Sequence, residues 1–291
     1  MTAVFDAKVY GWLIQAMRNV HGQEAFEVRA PILWPGMAEE SFNLNFYGKV
    51  ARLATSNAFY LLLMASKYGN CYLIQKSFRQ EPRCSVCHLN EFDLYECCLC
   101  DVDFAKLLDT TERVLRDIHA EAKRLFPMLC SADMPETPFK RYEWKDLDAQ
   151  IKNFSKIDFT TSPDIQIHQF LSTQTEPFFI TNMPRKQTSS WLVKCDPNGN
   201  LCTFDLILPG VGEVFEGSER PMQKDIYEEK LLKGANLAKS FKWFLDGFED
   251  QKHPISMFGC GIERLAMWLF GIKDIADIHQ PYRKNCFSEL L

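Results

Sequence analysis

A chain of 291 residues and 33.7 kDa, 46% of it hydrophobic, is long enough to bury a sizeable core, which excludes a disordered chain or a disulfide-stapled mini-protein. A formal net charge of −5 without any long Lys/Arg run speaks against an extended nucleic-acid footprint, and eleven irregularly spaced cysteines fit reduced thiols better than a disulfide framework. The N-terminus is too charged for a signal peptide and no long apolar run offers a membrane span, so the expectation is a cytoplasmic protein with no membrane partner.

Apolar residues Val9, Trp12, Leu13, Ala16 and Met17 recur at helical spacing and predict an opening amphipathic helix from Ala7 to Asn19. Phe26 to Ile32 reads as extended because Pro31 lacks an amide proton and biases its predecessor away from helix, and 34–41 reads as a loop. Residues 56–68 read as a helix, and the strand-rich runs 70–78 and 92–100 as an antiparallel hairpin with a long tip. Between Val102 and Phe126 the spacing predicts a long amphipathic helix. Residues 130–175, with Pro135, Pro138 and Pro163, read as an insertion or mobile connection. Strands are expected at 177–181, 190–196 and 202–208, with Asn198-Gly199 as a turn, then helix from about Asp225 to Phe248 and a last helix at 263–270 closed by Gly271. The order points to an α+β fold with a mainly antiparallel sheet in one domain spanning 1–291.

Three constellations could carry chemistry. Across the hairpin tip, Arg79 offers a planar fork to a phosphate, Phe92 a face to a base and Glu81 an acceptor to an amino group, with His88 nearby; a solvated surface hairpin fits the same residues equally well. Asp205, Glu213 and Glu216 could hold Mg²⁺, with Arg220 pairing a substrate carboxylate or amide, although an ordinary glycine-rich turn is the commoner explanation of 209–220. Glycines at 259 and 261 lead into a helix whose first turn carries Glu263 and Arg264, where an arginine can stack on a base; packing alone would explain this too. Cys84-x-x-Cys87-His88 looks like half a zinc site, but the other candidates, Cys97, Cys98 and Cys100, lie well down the return strand.

Taken together, and in order, these motifs resemble the catalytic domain of class II aminoacyl-tRNA synthetases, closest to the asparaginyl and aspartyl branch. Phe78-Arg79-x-Glu81 with His88 and Glu91-Phe92 matches the second motif of the family, Pro31 the proline of the first, GxGxERL at 259–265 the third, and 212-GEVFEGSER-220 the magnesium and amino-acid loop. The resemblance implies an antiparallel sheet flanked by helices that binds ATP in a bent shape. It puts Arg79 on the α-phosphate and the amino-acid carboxylate, Glu81 on the adenine amine and His88 on the terminal phosphates. Adenine would lie between Phe92 and Arg264, beside Gly261 and Glu263, with Asp205 and Glu213, joined by Glu216, on Mg²⁺. Ser56, Ala58, Glu216, Arg220 and Met257 would line the amino-acid side. The reaction implied is attack of a carboxylate on the α-phosphorus, giving an aminoacyl adenylate and pyrophosphate, in a homodimer paired through about residues 7–33.

The sequence also departs from the pattern. The resemblance begins near residue 7, which leads to the expectation of no N-terminal anticodon-binding barrel. Ala58 and Leu61 stand where aspartyl enzymes carry the glutamine and lysine of SPQxxK; Glu216 and Met257 replace small residues, and Cys87 an arginine. The arginine of an IRD tripeptide is Ala276, while Arg283 keeps the match that follows. These departures favour an amide ligase resembling truncated asparaginyl paralogues that make asparagine: an aspartate-like acid is activated and passed to ammonia or another small amine, with tRNA not favoured. The alternatives are a freestanding synthetase charging tRNA or a carrier protein, and a non-catalytic paralogue that binds a metabolite or partner.

Overall fold

A computed structural model of the chain describes residues 5–21, 24–36, 41–80, 85–153, 170, 173–183, 192–232 and 240–278. Helix α1 (Ala7–Asn19) starts where the Asp6 carboxylate accepts the amide protons of Lys8 and Val9 at 2.9 and 3.0 Å, satisfying two of the orphan donors of its first turn. Its spacing buries Leu13 and Met17, while Trp12 is left 46% exposed on the other side. The strands are β1 (Phe26–Glu27), β2 (Leu33–Trp34), β3 (Asn43–Phe46), β4 (Lys49–Leu53), β5 (Cys71–Phe78), β6 (Glu91–Cys100), β7 (Lys140–Glu143), β8 (Phe178–Thr181), β9 (Thr203–Leu208), β10 (Gly212–Arg220) and β11 (Ile255–Gly261). Between them lie α2 (Ala58–Tyr68), α3 (Phe104–Leu125), α4 (Trp144–Asn153), α5 (Lys224–Leu232) and α6 (Lys242–Gly247), with α7 (Ile262–Phe270) following β11.

The main sheet has eight strands in the order β1-β5-β6-β11-β10-β9-β8-β7, antiparallel except for the edge pairs β1·β5 and β7·β8. Its central strands are buried on both faces, which explains the run YECCLC: Tyr95, Cys97 and Leu99 point into a core with α1, α3 and α7, whereas Cys98 points with Cys71, Leu73 and Met257 to a second core under α2, Tyr227 and Phe244. A smaller sheet, β2-β4-β3, carries exposed Leu33, Leu44, Phe46 and Val50. The nine cysteines among the described residues are free thiols. Among the described residues no helix is long and apolar enough to cross a membrane.

Several expectations need correction. Residues 212–220 form the central strand β10 rather than a loop; of its two glycines, Gly217 is there for close packing, whereas Gly212 takes a left-handed φ of 95° at the start of the strand. The strand expected at 190–196 does not form among its described residues, 192–196, where Cys195 makes only an isolated bridge to Leu201. There the Asp196 carboxylate accepts the amide protons of Asn198 and Asn200, both at 2.8 Å, and local turn bonding replaces a ladder. Of the stretch 130–175, residues 154–169 and 171–172 lie outside the described residues; the described part contains β7 and α4, with Phe139, Leu147 and Ile151 buried.

A Cβ added to Gly217 would lie 2.5 Å from the Phe204 ring and 2.7 Å from the Met257 carbonyl oxygen, with no soft neighbour to yield. Gly217→Ala should therefore cost at least about 2 kcal/mol, read as a lower midpoint in urea unfolding; an unchanged midpoint would contradict this packing.

Candidate active site

A cavity of about 560 Å³ opens over the face of the sheet that carries α2, between the N-terminus of that helix, the β5–β6 hairpin, and the strands β9, β10 and β11. Ser56, Ala58, Arg79, His88, Phe92, Asp205, Glu213, Glu216, Arg220, Met257, Gly261, Glu263 and Arg264 all line it. These residues come from five separate stretches of the chain. Glu81, Cys84 and Arg283 lie outside the described residues.

Strand register builds the floor. Glu96 faces Gly259, Gly259 faces Glu216, and Glu216 faces Asp205, so four adjacent strands present one row across the cavity. Glu213 joins the same face through an irregularity. Residues three apart on a regular strand point to opposite sides, but the β9·β10 register shifts between Glu213 and Phe215, and that extra residue returns Glu213 to the side of Glu216.

The cations are held by backbone oxygens. Arg264 donates from Nε to the Cys87 carbonyl at 3.0 Å and from Nη1 to the Glu213 carbonyl at 2.9 Å, tying the hairpin tip to β10. Arg79 donates from Nε to the Thr55 carbonyl at 3.5 Å, and its guanidinium lies 5.4 Å from the centre of the Phe92 ring. Thus it is Arg79 that sits over Phe92, a cation–π contact, with Arg264 at the other wall. Arg220 donates to the Leu192 carbonyl at 3.3 Å, and its Nε is buried without a hydrogen-bond partner. Among the described residues none of the three arginines forms an ion pair with a carboxylate. Ser85 Oγ is 2.6 Å from His88 Nδ1, which fixes the exposed ring at the tip.

Glu263 plays a different part from the one expected. It is fully buried, and both carboxylate oxygens accept the Asp93 amide proton at 3.0 Å, so it holds β6 against α7 instead of offering its charge to the cavity.

The acidic row is electrostatically uncomfortable. Burial, followed by the charges of Glu213 and Glu216, raises the Asp205 carboxyl well above its ordinary range. Glu213, surrounded by protein although water reaches it through the cavity, is raised to about 7 by burial and by Glu216, against the pull of Arg264 and Arg79. Among the described residues no three His, Cys, Asp or Glu side chains converge into a ready-made metal cage. Asp205, Glu213 and Glu216 are therefore not a preformed trio, and the cluster Cys97, Cys98 and Cys100 offers no zinc site.

Two residues escaped the sequence reading. Glu96 is buried, accepts a short hydrogen bond from the Ser56 hydroxyl on Oε1, and takes the Asn57 amide proton on Oε2 at 2.8 Å. Alternation from Phe92 through Leu94 was the signal that could have placed it on the cavity face. Asn57, only 2% exposed, lines the cavity with neither amide atom hydrogen-bonded. Nothing in the sequence marks that.

Residues 6–282 match the family described as tRNA synthetases class II (D, K and N). The chain is 29% identical over 293 aligned positions to the cytoplasmic asparagine–tRNA ligase of Saccharomyces cerevisiae, a match covering 92% of this chain and 52% of that protein. It is 26% identical to the asparagine–tRNA ligase of Clostridium tetani, covering 81% of this chain and 56% of that one. In three dimensions it is similar to the asparaginyl-tRNA synthetase of Pyrococcus horikoshii complexed with asparaginyl-adenylate, with a TM-score of 0.80 at 24% identity over 94% of this chain and 68% of that one. The chain thus spans about half the length of these curated relatives.

The Asp205–Glu213 pair sets a pH signature for the protein without ligands. Because the folded-state values lie above the unfolded ones, the native state binds more protons, and stability falls as pH rises from about 4.5 through about 7. A double variant, Asp205→Asn with Glu213→Gln, should flatten that fall. Thermal melts across the range check this, and parallel curves for the two proteins would refute the charge assignment.

Proposed function

Since the chain belongs to the class II tRNA synthetase (D, K and N) family, we propose that it is an ATP-dependent ligase that activates asparagine or a close analogue as its aminoacyl adenylate and passes the acyl group to tRNA. The observation that carries this reading is the single cavity that gathers Arg79, Phe92, Asp205, Glu213, Arg220 and Arg264 from distant parts of the chain. The tRNA acceptor is preferred to a small amine because the relatives matched over most of this chain are named asparagine–tRNA ligases. Transfer to ammonia has no comparable support.

In this reading, Arg79 and Arg264 stand where negative charge builds on the α-phosphate, and catalysis is positioning and charge neutralisation. Phe92 gives adenine an apolar face. The donor set Asp205 and Glu213 suits Mg²⁺, a hard cation that takes one or two carboxylates and completes its shell with phosphate oxygens and water. Their raised pKa values are those of carboxylates placed together without a protein cation in contact. Bound there, Mg²⁺ would neutralise phosphate charge; the residues of the chain position the two substrates around it. Arg220, with an unused buried donor, faces the amino-acid end.

A homodimer belongs to the same proposal. Trp12 and Phe26, together with Leu33, Leu44, Phe46 and Val50 of the small sheet, leave much large apolar surface exposed on and beside the segment expected to pair. Leu13, from the same predicted stripe, is instead committed to the monomer core.

Pyrophosphate exchange with ATP and each of a panel of amino acids tests the adenylation step, with asparagine expected to give the strongest signal. Arg79→Ala and Arg264→Ala should each lower exchange at least about 100-fold while the far-UV spectrum is kept. Full activity in either variant would sink the assignment, and charging of tRNA in the same preparation separates the tRNA acceptor from ammonia. For the dimer, sedimentation should report two copies for the wild type and one for Trp12→Glu combined with Phe46→Glu; an unaltered sedimentation coefficient would rule this face out.

A further inference from the structure

Glu219 and Arg220 are consecutive residues at the end of β10, so their side chains leave the sheet on opposite faces. Glu219 is buried on the α3 side, where Oε2 accepts the Phe104 amide proton at 3.1 Å at the start of that helix. Arg220 lines the cavity, and the Leu192 carbonyl accepts its only hydrogen bond among the described residues. The segment 192–196 touches both. Beyond Thr203, the first residue of β9, a ring of three backbone bonds forms: Glu219 donates to the Cys202 carbonyl at 3.0 Å, Cys202 to that of Lys194 and Lys194 to that of Glu219, both at 2.9 Å. The side chain of Lys194 follows its amide, with Nζ 2.5 Å from Glu219 Oε1. Two residues earlier the same segment is on the cavity face, where Leu192 and Val193 form part of the wall. The chain therefore clasps β10 from both sides, with a cation on the far face and a carbonyl on the near one.

Residues 192–196 form no strand, so this wall lacks the ladder that fixes the floor of the cavity. An ion pair exposed at both ends would add little, but the Glu219 side chain is only 4% exposed and is held by a helix terminus, so Lys194 meets a fixed and desolvated charge. At about 3.3 Å per residue, Leu192 stands within about 7 Å of Lys194, a tether short enough for the pair to set the place of the Leu192 carbonyl. We propose that Lys194 is a positioning residue for the amino-acid end of the cavity: bound to Glu219, it keeps the Leu192 carbonyl on Arg220 and sets the direction in which that guanidinium meets the substrate. This rests on the adenylation reading above, which puts Arg220 at the amino-acid end, and deepens it. The Lys194 charge, committed to Glu219 behind the sheet, does not compete with Arg220, and a carbonyl aligns a guanidinium without cancelling its charge. The nucleotide side is oriented by other carbonyls, those of Thr55, Cys87 and Glu213, so the two ends separate in kinetics.

Lys194→Met keeps most of the alkyl stem and removes the charge. In pyrophosphate exchange with whichever amino acid the wild type activates, it should raise the KM for the amino acid at least about fivefold and leave the KM for ATP within about twofold. Lys194→Arg, which can still pair with Glu219, should return the amino-acid KM to within about twofold of the wild type. A merely structural loss would lower the folded fraction, and with it the apparent kcat, and leave KM where it is. A double-mutant cycle then asks whether Lys194 acts through Arg220: Arg220→Met alone should raise the amino-acid KM, and adding Lys194→Met should raise it less than about twofold further. An unchanged amino-acid KM in Lys194→Met, an equal rise in both KM values, no rescue by Lys194→Arg, or full additivity with Arg220→Met overturns the positioning role while adenylation stands. No exchange by the wild type with any amino acid overturns both.

Discussion

Everything in the cavity depends on strand register. Because side chains alternate along a strand, a slip of one residue in β10, β9 or β6 would send Glu216, Asp205 or Glu96, respectively, through the sheet into the opposite core. What prevents the slip lies on the far face, where Tyr95, Phe215 and Phe258 interlock with centroids 5.8 and 6.3 Å apart. Gly217 adds a second lock, since only a residue without a side chain fits between the Phe204 ring and the Met257 carbonyl. Apolar packing on one side of the sheet therefore fixes polar geometry on the other, to within the width of a side chain.

That packing also has to carry a cost. Asp205 and Glu213 share a face with Glu216, and desolvation and mutual repulsion push the first two toward their protonated forms. A protein selected only for stability would place cations against them, as it does elsewhere: Arg116 holds Glu112 at 2.7 Å and Arg18 holds Glu27 at 3.0 Å. In the cavity that solution is absent among the described residues, so the destabilisation is retained where function can use it.

Most of the frame was legible because helical and strand periods are local properties. The spacing of α1 and α3 and the alternation of the hairpin survive any tertiary context, and the cluster of FRxE, GEVFEGSER and GxGxERL preserved the order of the residues that meet in space. Three things were not legible for physical reasons. The glycines of 212–220 look like loop residues because Gly212 carries the positive φ of the turn that leads into the strand while Gly217 meets the close approach of Phe204 and the Met257 carbonyl, two needs that the sequence cannot tell apart. The bulge beside Val214, which puts Glu213 on the cavity face, exists only relative to the partner strand β9. The roles of Glu263 and Glu96 depend on which backbone amides lie opposite: the first is spent on Asp93, the second held by Asn57, and neither partner is near in sequence.

Charge segregation, rather than the total charge, is what makes the cavity specific. Arg79, Arg220 and Arg264 are oriented by the carbonyls of Thr55, Leu192, Cys87 and Glu213, partners that align a guanidinium without cancelling its charge. The carboxylates are oriented by register and, for Glu96, by a hydroxyl and an amide whose hydrogen bonds favour the charged form against the burial that pushes its carboxyl up. Had the two sets been allowed to meet, the cavity would be a neutral network of ion pairs that any ligand must first break. Kept apart, they form separate positive and negative regions, the arrangement that the proposed adenylation requires of ligands carrying both signs at a fixed spacing. The net charge of −5 says nothing of this arrangement, because segregation at the scale of a few ångströms leaves no trace in a sum.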